Sequence, residues 1–303
     1  MYSSSLFAAV GFATALVAAC RLAAFIRIYL RPSGIAKYSR NGTYALVTGA
    51  TDGIGKAIAL ELAGRGFNIV LHGRSSEKLQ RVKDQIQITH SGREVVMVLH
   101  DAKAGTMLDT AAIKALPISV LVNNVGGAEP KSFARSSRAD IDEVIALNAL
   151  FSTHLTWELL AHLSQPALIL NVSSYAGVFP PPYLAAYAGA KAFVTAFSSS
   201  LCREVQSVET ISLITGSVHS AGNTKPVGFL RPDSTTYARS VLRVVGCGRL
   251  SVYPYWPHAV QACAFSWMPR RMLERAMKKA LESEMLSRVP RQPDLPGVQS
   301  AKR

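Results

Sequence analysis

Apolar residues run without a break from Leu6 to Cys20 and continue around Arg21 and Arg27 to Leu30. Beyond the proline and glycine of Arg31–Gly34, short apolar runs alternate with longer segments of helical period. The runs Tyr44–Thr48, Asn68–His72, Val95–His100, Ser119–Asn123, Ala167–Val172 and Thr210–Thr215 have the length and continuity of strands buried on both faces. Ile54–Arg65 and Ser76–Thr89, between them, repeat their apolar positions every three to four residues and predict helices. Strands alternating with helices predict an α/β fold, a doubly wound parallel sheet covered on both sides. Past the last strand, Trp256–Met268 is apolar and Pro269 interrupts it. Arg270–Leu286 then sets Met272, Leu273, Met277, Leu281 and Met285 on one helical face and its arginines and lysines elsewhere. Such a helix either lies in a bilayer interface or covers a core. The pattern divides the chain into an anchor and hinge over residues 1–40, one folded unit over 41–255, a helical extension over 256–289 and a disordered tail over 290–303.

A chain of 303 residues suits one large domain with appendages. Cys20, Cys202, Cys247 and Cys263 lie far apart, which argues against a zinc site or a disulfide framework, and no metal is expected. The net charge of +14 would suit nucleic acid, an anionic membrane face or an anionic ligand. No helix-turn-helix, zinc-finger or RNA-binding motif accompanies it, so no nucleic acid is expected, and membrane lipid and an anionic ligand remain. The run Leu6–Cys20 is short for a span, covering about 22 Å of a hydrocarbon layer about 30 Å thick. Spanning would need the flanking serines or a snorkelling Arg21. Met1–Ser5 carries no charge, unlike a cleaved signal, and Arg21, Arg27, Arg31, Lys37 and Arg40 all follow the run. The expectation is an uncleaved anchor with a cytoplasmic domain, against the alternative of a buried packing helix.

Chemistry enters at two places. "TGATDGIG", Thr48 to Gly55, falls where the first strand turns into the first helix. Glycine there lets the backbone approach a phosphate, whose charge is met by free helix N–H groups and the helix dipole. Tyr187 and Lys191 are the only tyrosine and lysine so spaced among ten tyrosines, and Ser174 precedes Tyr187 by thirteen residues. An i,i+4 spacing alone merely puts two side chains on one helical face.

Together with "NNVG" (Asn123–Gly126), these motifs resemble the short-chain dehydrogenase/reductases, in the right order over roughly Tyr44 to Tyr253. "VTGATDGIGK", the valine of "NNVG" and "GRLSVYPYWPHAV" are similar to the membrane-bound branch. That branch holds 17β-hydroxysteroid dehydrogenases types 3 and 12 and the very-long-chain 3-oxoacyl-CoA reductases. The resemblance implies a Rossmann-type fold, a nicotinamide cofactor and hydride transfer to a carbonyl. Tyr187 would donate the proton, and Lys191 would lower its pKa and hold the nicotinamide ribose. Ser174, chosen over its neighbour Ser173 on spacing, would orient the carbonyl oxygen. Asn148 would anchor a water chain to the lysine, or serve only as a helix-packing amide. The same resemblance assigns cofactor contacts to Gly49, Thr51, Asp52, Gly53, Ile54, Gly55, Arg74, Asp101, Asn123, Val218 and Ser220, beside Tyr187 and Lys191.

NADP(H) is favoured on charge. "LHGRSSEK" offers Arg74 and no acid before Glu77 where an NAD site places a carboxylate. One departure stands out: the family's P-G-x-V-x-T reads "TGSVHS" (Thr215–Ser220), and losing proline frees a backbone N–H and should loosen that loop. His219 within it reads as structural or solvent-facing. The expected function is a membrane-anchored, NADPH-dependent ketoreductase of a lipophilic ketone, foremost a long-chain 3-oxoacyl-CoA. It would sit at the endoplasmic reticulum with its domain toward the cytosol, and the family's paired helices commonly make a homodimer. A hydroxysteroid-type or specialised-pathway reductase, or a silent nucleotide-binding scaffold, are the alternatives.

Overall fold

The computed structural model describes residues 2–104 and 108–288. Seven strands, β1 (Tyr44–Val47), β2 (Asn68–Gly73), β3 (Val95–Leu99), β4 (Ile118–Asn123), β5 (Ala167–Ser174), β6 (Val208–Thr215) and β7 (Ser251–Val252), form one sheet. All pairings are parallel, in the order β3-β2-β1-β4-β5-β6-β7. Parallel neighbours need crossover connections, and the intervening helices supply them. They are α2 (Gly53–Gly64), α3 (Ser76–Thr89), α4 (Ala111–Lys114), α5 (Arg138–Ile145), α6 (Phe151–Leu160), α7 (Ala185–Glu204) and α8 (Ser234–Val244). The six expected strands are present, and β7, only two residues long, was not anticipated.

Alternation along each strand splits the core between the two sheet faces. Val47, Leu71 and Val122 pack with Leu62 of α2 and Tyr237 and Val241 of α8. Leu46, Val70 and Leu121 pack on the other face with Leu155 and Leu159 of α6 and Leu201 of α7. Local signals start the helices: the Ser75 hydroxyl accepts from Lys78 N at 3.3 Å at the head of α3, and Ser137 and Asp140 form a capping box on α5. Strand order reverses at β1 and β4, so the crevice beyond their carboxyl ends is where such a sheet binds ligands.

The amino-terminal helix α1 (Tyr2–Leu30) is longer than the apolar run suggested, because it continues through Arg21 without a break. Ala9–Leu30 alone has 22 residues of mean hydropathy 2.0 and is unburied. At 1.5 Å per residue it is about 33 Å long, enough to cross a bilayer. Its last turn meets the domain, where the Tyr29 hydroxyl donates to Tyr253 O at 2.9 Å and Arg31 to Val245 O at 3.1 Å. After the sheet come α9 (Trp256–Trp267) and α10 (Arg270–Arg288). The expected disordered tail, 290–303, lies outside the described residues.

Candidate active site

The glycine turn between β1 and α2 is shaped for an anion. Gly49 and Gly53 take φ of +64° and +56°, which side chains resist, and a Cβ on Gly55 would stand 2.3 Å from Gly49 O. Asp52 occupies the N-cap position of α2 yet makes no capping bond; its carboxylate pairs instead with Lys78 at 3.1 Å. The first-turn amides of α2 thus keep no side-chain acceptor and remain for another negative group. A cavity of about 710 Å³ opens over this turn, lined by Gly49, Thr51, Asp52, Gly53 and Ile54 and reaching Ser174, Tyr187 and Lys191. Gly55 is buried beneath it, holding the turn closed.

Arg74, at the end of β2, lies on the cavity rim, exposed and without an ion-pair partner among the described residues. Lys78 and Lys103 line the same end. Asp101 lines it too, while its carboxylate also accepts Lys103 N at 3.0 Å and so closes a turn. His72 was not singled out from the sequence. It is buried with both ring nitrogens unpartnered, stacked on Phe151 at 5.2 Å, and burial lowers its pKa to about 4, so it is neutral.

Asn123 does not join the cleft. As the last residue of β4 it turns into the core, where its amide donates to Asn171 Oδ1 at 2.7 Å and Thr156 Oγ1 at 3.0 Å. Its neighbour Asn124 lines the cavity instead, donating to Thr48 O at 3.0 Å and Gly49 O at 3.3 Å. Strand parity was the signal available in the sequence: successive residues face opposite ways, and only the one leaving the strand is free to turn toward the glycines.

The catalytic candidates converge at the ends of β5 and α7. Ser173 points to α7, bonding Lys191 O at 2.8 Å and Thr195 Oγ1 at 2.7 Å. Ser174 lines the cavity beside the Tyr187 hydroxyl, whose pKa it acts to lower, whereas the Ser173 hydroxyl is taken up by α7. Lys191 is buried, its ammonium donating to Val172 O at 2.9 Å and standing 5.8 Å from the Tyr187 ring centre. Burial lowers the lysine pKa to about 8. Tyr187 shows the opposite of the expected shift: burial raises its pKa, the nearby Ser174 hydroxyl opposing only in part. The phenol therefore stays protonated at neutral pH, the state a proton donor needs.

Asn148 sits in a π-turn (Ala146–Leu150) between α5 and α6, a local widening common at functional sites. Its amide grips Gly127, accepting from N at 2.8 Å and donating to O at 2.9 Å, with a second donation to Val144 O. Gly126 fits between it and the lysine: a Cβ there would lie 2.7 Å from Asn148 Oδ1 and 2.8 Å from Lys191 Nζ.

Thr215, which stands where the family's proline would, and Gly216 after it are tied into the sheet and the core. Thr215 extends β6 into register with Ser174, and its hydroxyl meets buried Tyr237 OH at 2.7 Å. Gly216 lies flat on the buried His258 ring, where a Cβ would come within 2.9 Å. Val218 and Ser220 then line the cavity, Ser220 against Gly53. His219 turns away, its Nδ1 bonded to Lys225 O at 2.9 Å.

A second cavity of about 700 Å³ joins the first at Gly126, Gly127 and Tyr187, and is lined further by Lys131, Tyr183 and Leu147. One cleft shaped for a phosphate-bearing ligand and a second meeting it at a tyrosine hydroxyl define an oxidoreductase of Rossmann type. The sequence pattern of the short chain dehydrogenase family matches residues 43–227. The very-long-chain 3-oxoacyl-CoA reductase of Neurospora crassa is 32% identical, the match covering 84% of this chain and 82% of that one. The solved structure of a 7β-hydroxysteroid dehydrogenase superposes with a TM-score of 0.69 at 20% identity, over 78% of this chain and 96% of that one. A short chain dehydrogenase of Burkholderia cenocepacia in complex with NADP gives 0.61 at 22%, over 71% and 98%. The chain belongs to the short-chain dehydrogenase/reductases, which use a nicotinamide cofactor.

Proposed function

We propose that the protein is an NADPH-dependent ketoreductase whose substrate is a long-chain 3-oxoacyl-CoA. The observation that carries this reading is the meeting of Tyr187, Ser174 and Lys191 where the two cavities join. The bound cofactor supplies the hydride. Ser174 and Tyr187 hold the carbonyl oxygen by their hydroxyls, and Tyr187 gives up its proton as negative charge develops there. Protonated Lys191 favours that loss by its charge, and Asn148 fixes the Gly126–Gly127 backbone against which lysine and substrate lie. Cofactor contacts fall to Gly49 through Ile54, to Asn124 in place of Asn123, and to Asp101, Val218 and Ser220. Arg74, unpaired among the described residues, favours a 2′-phosphate, because a guanidinium forms paired hydrogen bonds with phosphate oxygens.

The acyl-CoA assignment draws on relatives named very-long-chain 3-oxoacyl-CoA reductase and on the net charge of +14, which would attract the phosphates of such a substrate. α1 anchors the protein in the endoplasmic reticulum membrane, and the basic residues after it hold the domain on the cytosolic side. Exposed Trp157 on α6 and Phe193 on α7 favour a homodimer through those helices. The test is NADPH consumption by the full-length protein with a 3-oxoacyl-CoA and with a neutral steroid ketone at rising salt. Acyl-CoA turnover should be the greater, should fall with salt by screening, and should vanish in Tyr187→Phe with NADPH binding retained. Brisk steroid turnover beside inert acyl-CoA would overturn the substrate, and NADPH binding without any turnover would overturn the enzyme.

A further inference from the structure

α9 carries no charged residue along its twelve positions, WPHAVQACAFSW, although it lies on the outside of the domain. Pro257, His258 and Ala262 face inward and are buried. The outward stripe is Trp256, Val260 and Trp267, exposed by 46, 48 and 85%, with Cys263 and Ala264 also exposed between them. A helix facing water normally turns charge outward, and a contiguous exposed apolar face marks a contact surface. The loop ahead of α8 widens this face with Val227, Phe229 and Leu230, all exposed. It is held firmly: the Phe229 ring meets Trp256 edge-on at 5.5 Å, and the Tyr255 hydroxyl donates to Phe229 O at 3.1 Å.

Three observations identify what covers this face. α1, unburied and apolar, is fixed by the Tyr29–Tyr253 hydrogen bond only three residues ahead of Trp256. Three residues reach at most about 11 Å, so α9 starts beside the point where α1 leaves the domain. Tryptophans close both ends of the stripe, and such rings favour the headgroup level of a bilayer. Arg270 and Arg271 follow directly after it, exposed, where anionic headgroups would meet them.

We propose that the outer face of α9, together with the tip formed by Val227, Phe229 and Leu230, lies in the headgroup-to-acyl boundary of the bilayer that α1 enters. This rests on the reading of α1 as an anchor, and adds a second contact that fixes the domain's orientation. The loop that closes over the cofactor cleft at Val218–Gly222 runs on into that tip.

The chain has three tryptophans, Trp157, Trp256 and Trp267, so each can be left alone by changing the other two to phenylalanine. The full-length variants are reconstituted in phosphatidylcholine vesicles containing about one-fifth phosphatidylserine, with and without brominated acyl chains. Flotation reads the anchor separately from fluorescence. In floating protein, brominated lipid should remove about half the emission of Trp256 and of Trp267 and leave that of Trp157, on α6, unchanged. Floating protein in which Trp256 and Trp267 are quenched no more than Trp157 overturns the proposal and leaves the anchor standing. Emission of Trp256 that responds to protein concentration but not to brominated lipid overturns it in favour of a second copy on this face. Protein that does not float removes the anchor reading, and the proposal with it.

Discussion

The hydroxyl of Tyr183, four residues ahead of Tyr187, donates to the carboxylate of Glu282 on α10 at 2.7 Å. Tyr183 is the one non-glycine among the described residues with a left-handed backbone, at φ 65°, a conformation costing roughly 1–2 kcal/mol. It is held there from two sides, because Lys131 N also donates to its carbonyl at 2.9 Å. Lys225 and Glu284 add a second tie, at 2.8 Å, between α10 and the loop over the cofactor cleft. α10 is thus stitched to the rim of the second cavity, which Tyr183 lines. Tyr183→Phe removes only the bond to Glu282, worth about 1 kcal/mol. The substrate KM should rise about five-fold while the Kd for NADPH stays fixed. Steady-state kinetics beside a cofactor titration separates the two, and an unchanged KM would count against α10 as part of the substrate wall.

Lys191 sets a pH dependence of two opposite signs. Burial lowers its pKa from 10.5 to about 8, and the charged form is the one that favours proton release from Tyr187. Reductive kcat/KM should therefore fall as pH rises through about 8. Stability should move the other way. Between about pH 8 and 10.5 the unfolded chain holds a proton that the folded chain has lost, so stability gains with pH across that window. Thermal melts of the wild type measured against Lys191→Met, which lacks the titrating group, should show the difference drifting in favour of the wild type over this interval. A flat difference would place the lysine pKa elsewhere.

Much of this architecture was legible because it follows from periodicity. Buried strands such as Ile118–Asn123 read as unbroken apolar runs, and the helix Ser76–Thr89 follows from its period. Residues whose position depends on distant packing were not legible. Asn123 and Asn124 differ only by strand parity at the point where β4 ends. The ties of Thr215 to Tyr237 and of Gly216 to His258 compensate for a missing proline through residues more than twenty positions away. The phenol pKa went the wrong way because spacing showed the lysine beside Tyr187 but not the burial that outweighs it. The partnership of Tyr183 with Glu282 joins residues 99 positions apart, beyond any local pattern.

Arg74 can be tested by charge reversal. It stands at the cleft rim with no carboxylate paired to it among the described residues, so a cofactor phosphate would be its partner. Arg74→Asp replaces attraction by repulsion at the 2′-phosphate and leaves the glycine turn untouched. NADPH affinity should fall at least about thirty-fold, as expected when a charge-assisted bond worth about 2 kcal/mol is lost, while NADH binding changes less than about three-fold. Fluorescence titration with both cofactors measures this. Equal losses would remove Arg74 from cofactor choice.

The adjacent serines offer the sharpest separation of structure from chemistry. Ser173 is buried, its hydroxyl shared between Lys191 O and Thr195 Oγ1, with Thr195 bonded in turn to Ser212 on β6. Removing that hydroxyl takes two hydrogen bonds out of a network that joins β5, α7 and β6, so Ser173→Ala should cost about 1–3 kcal/mol and lower Tm, with kcat falling little while the protein is folded. Ser174 makes a helix-start bond to Ala176 N at 3.1 Å and otherwise faces the cavity beside the Tyr187 hydroxyl. Ser174→Ala should leave Tm within a degree or two and lower kcat on the order of ten to a thousand-fold, the loss of one hydrogen bond to a developing oxyanion. Melting curves and turnover measured on the same two preparations decide it: kcat loss in Ser173→Ala with an unchanged Tm, or an inert Ser174→Ala, would reverse the assignment of the two hydroxyls.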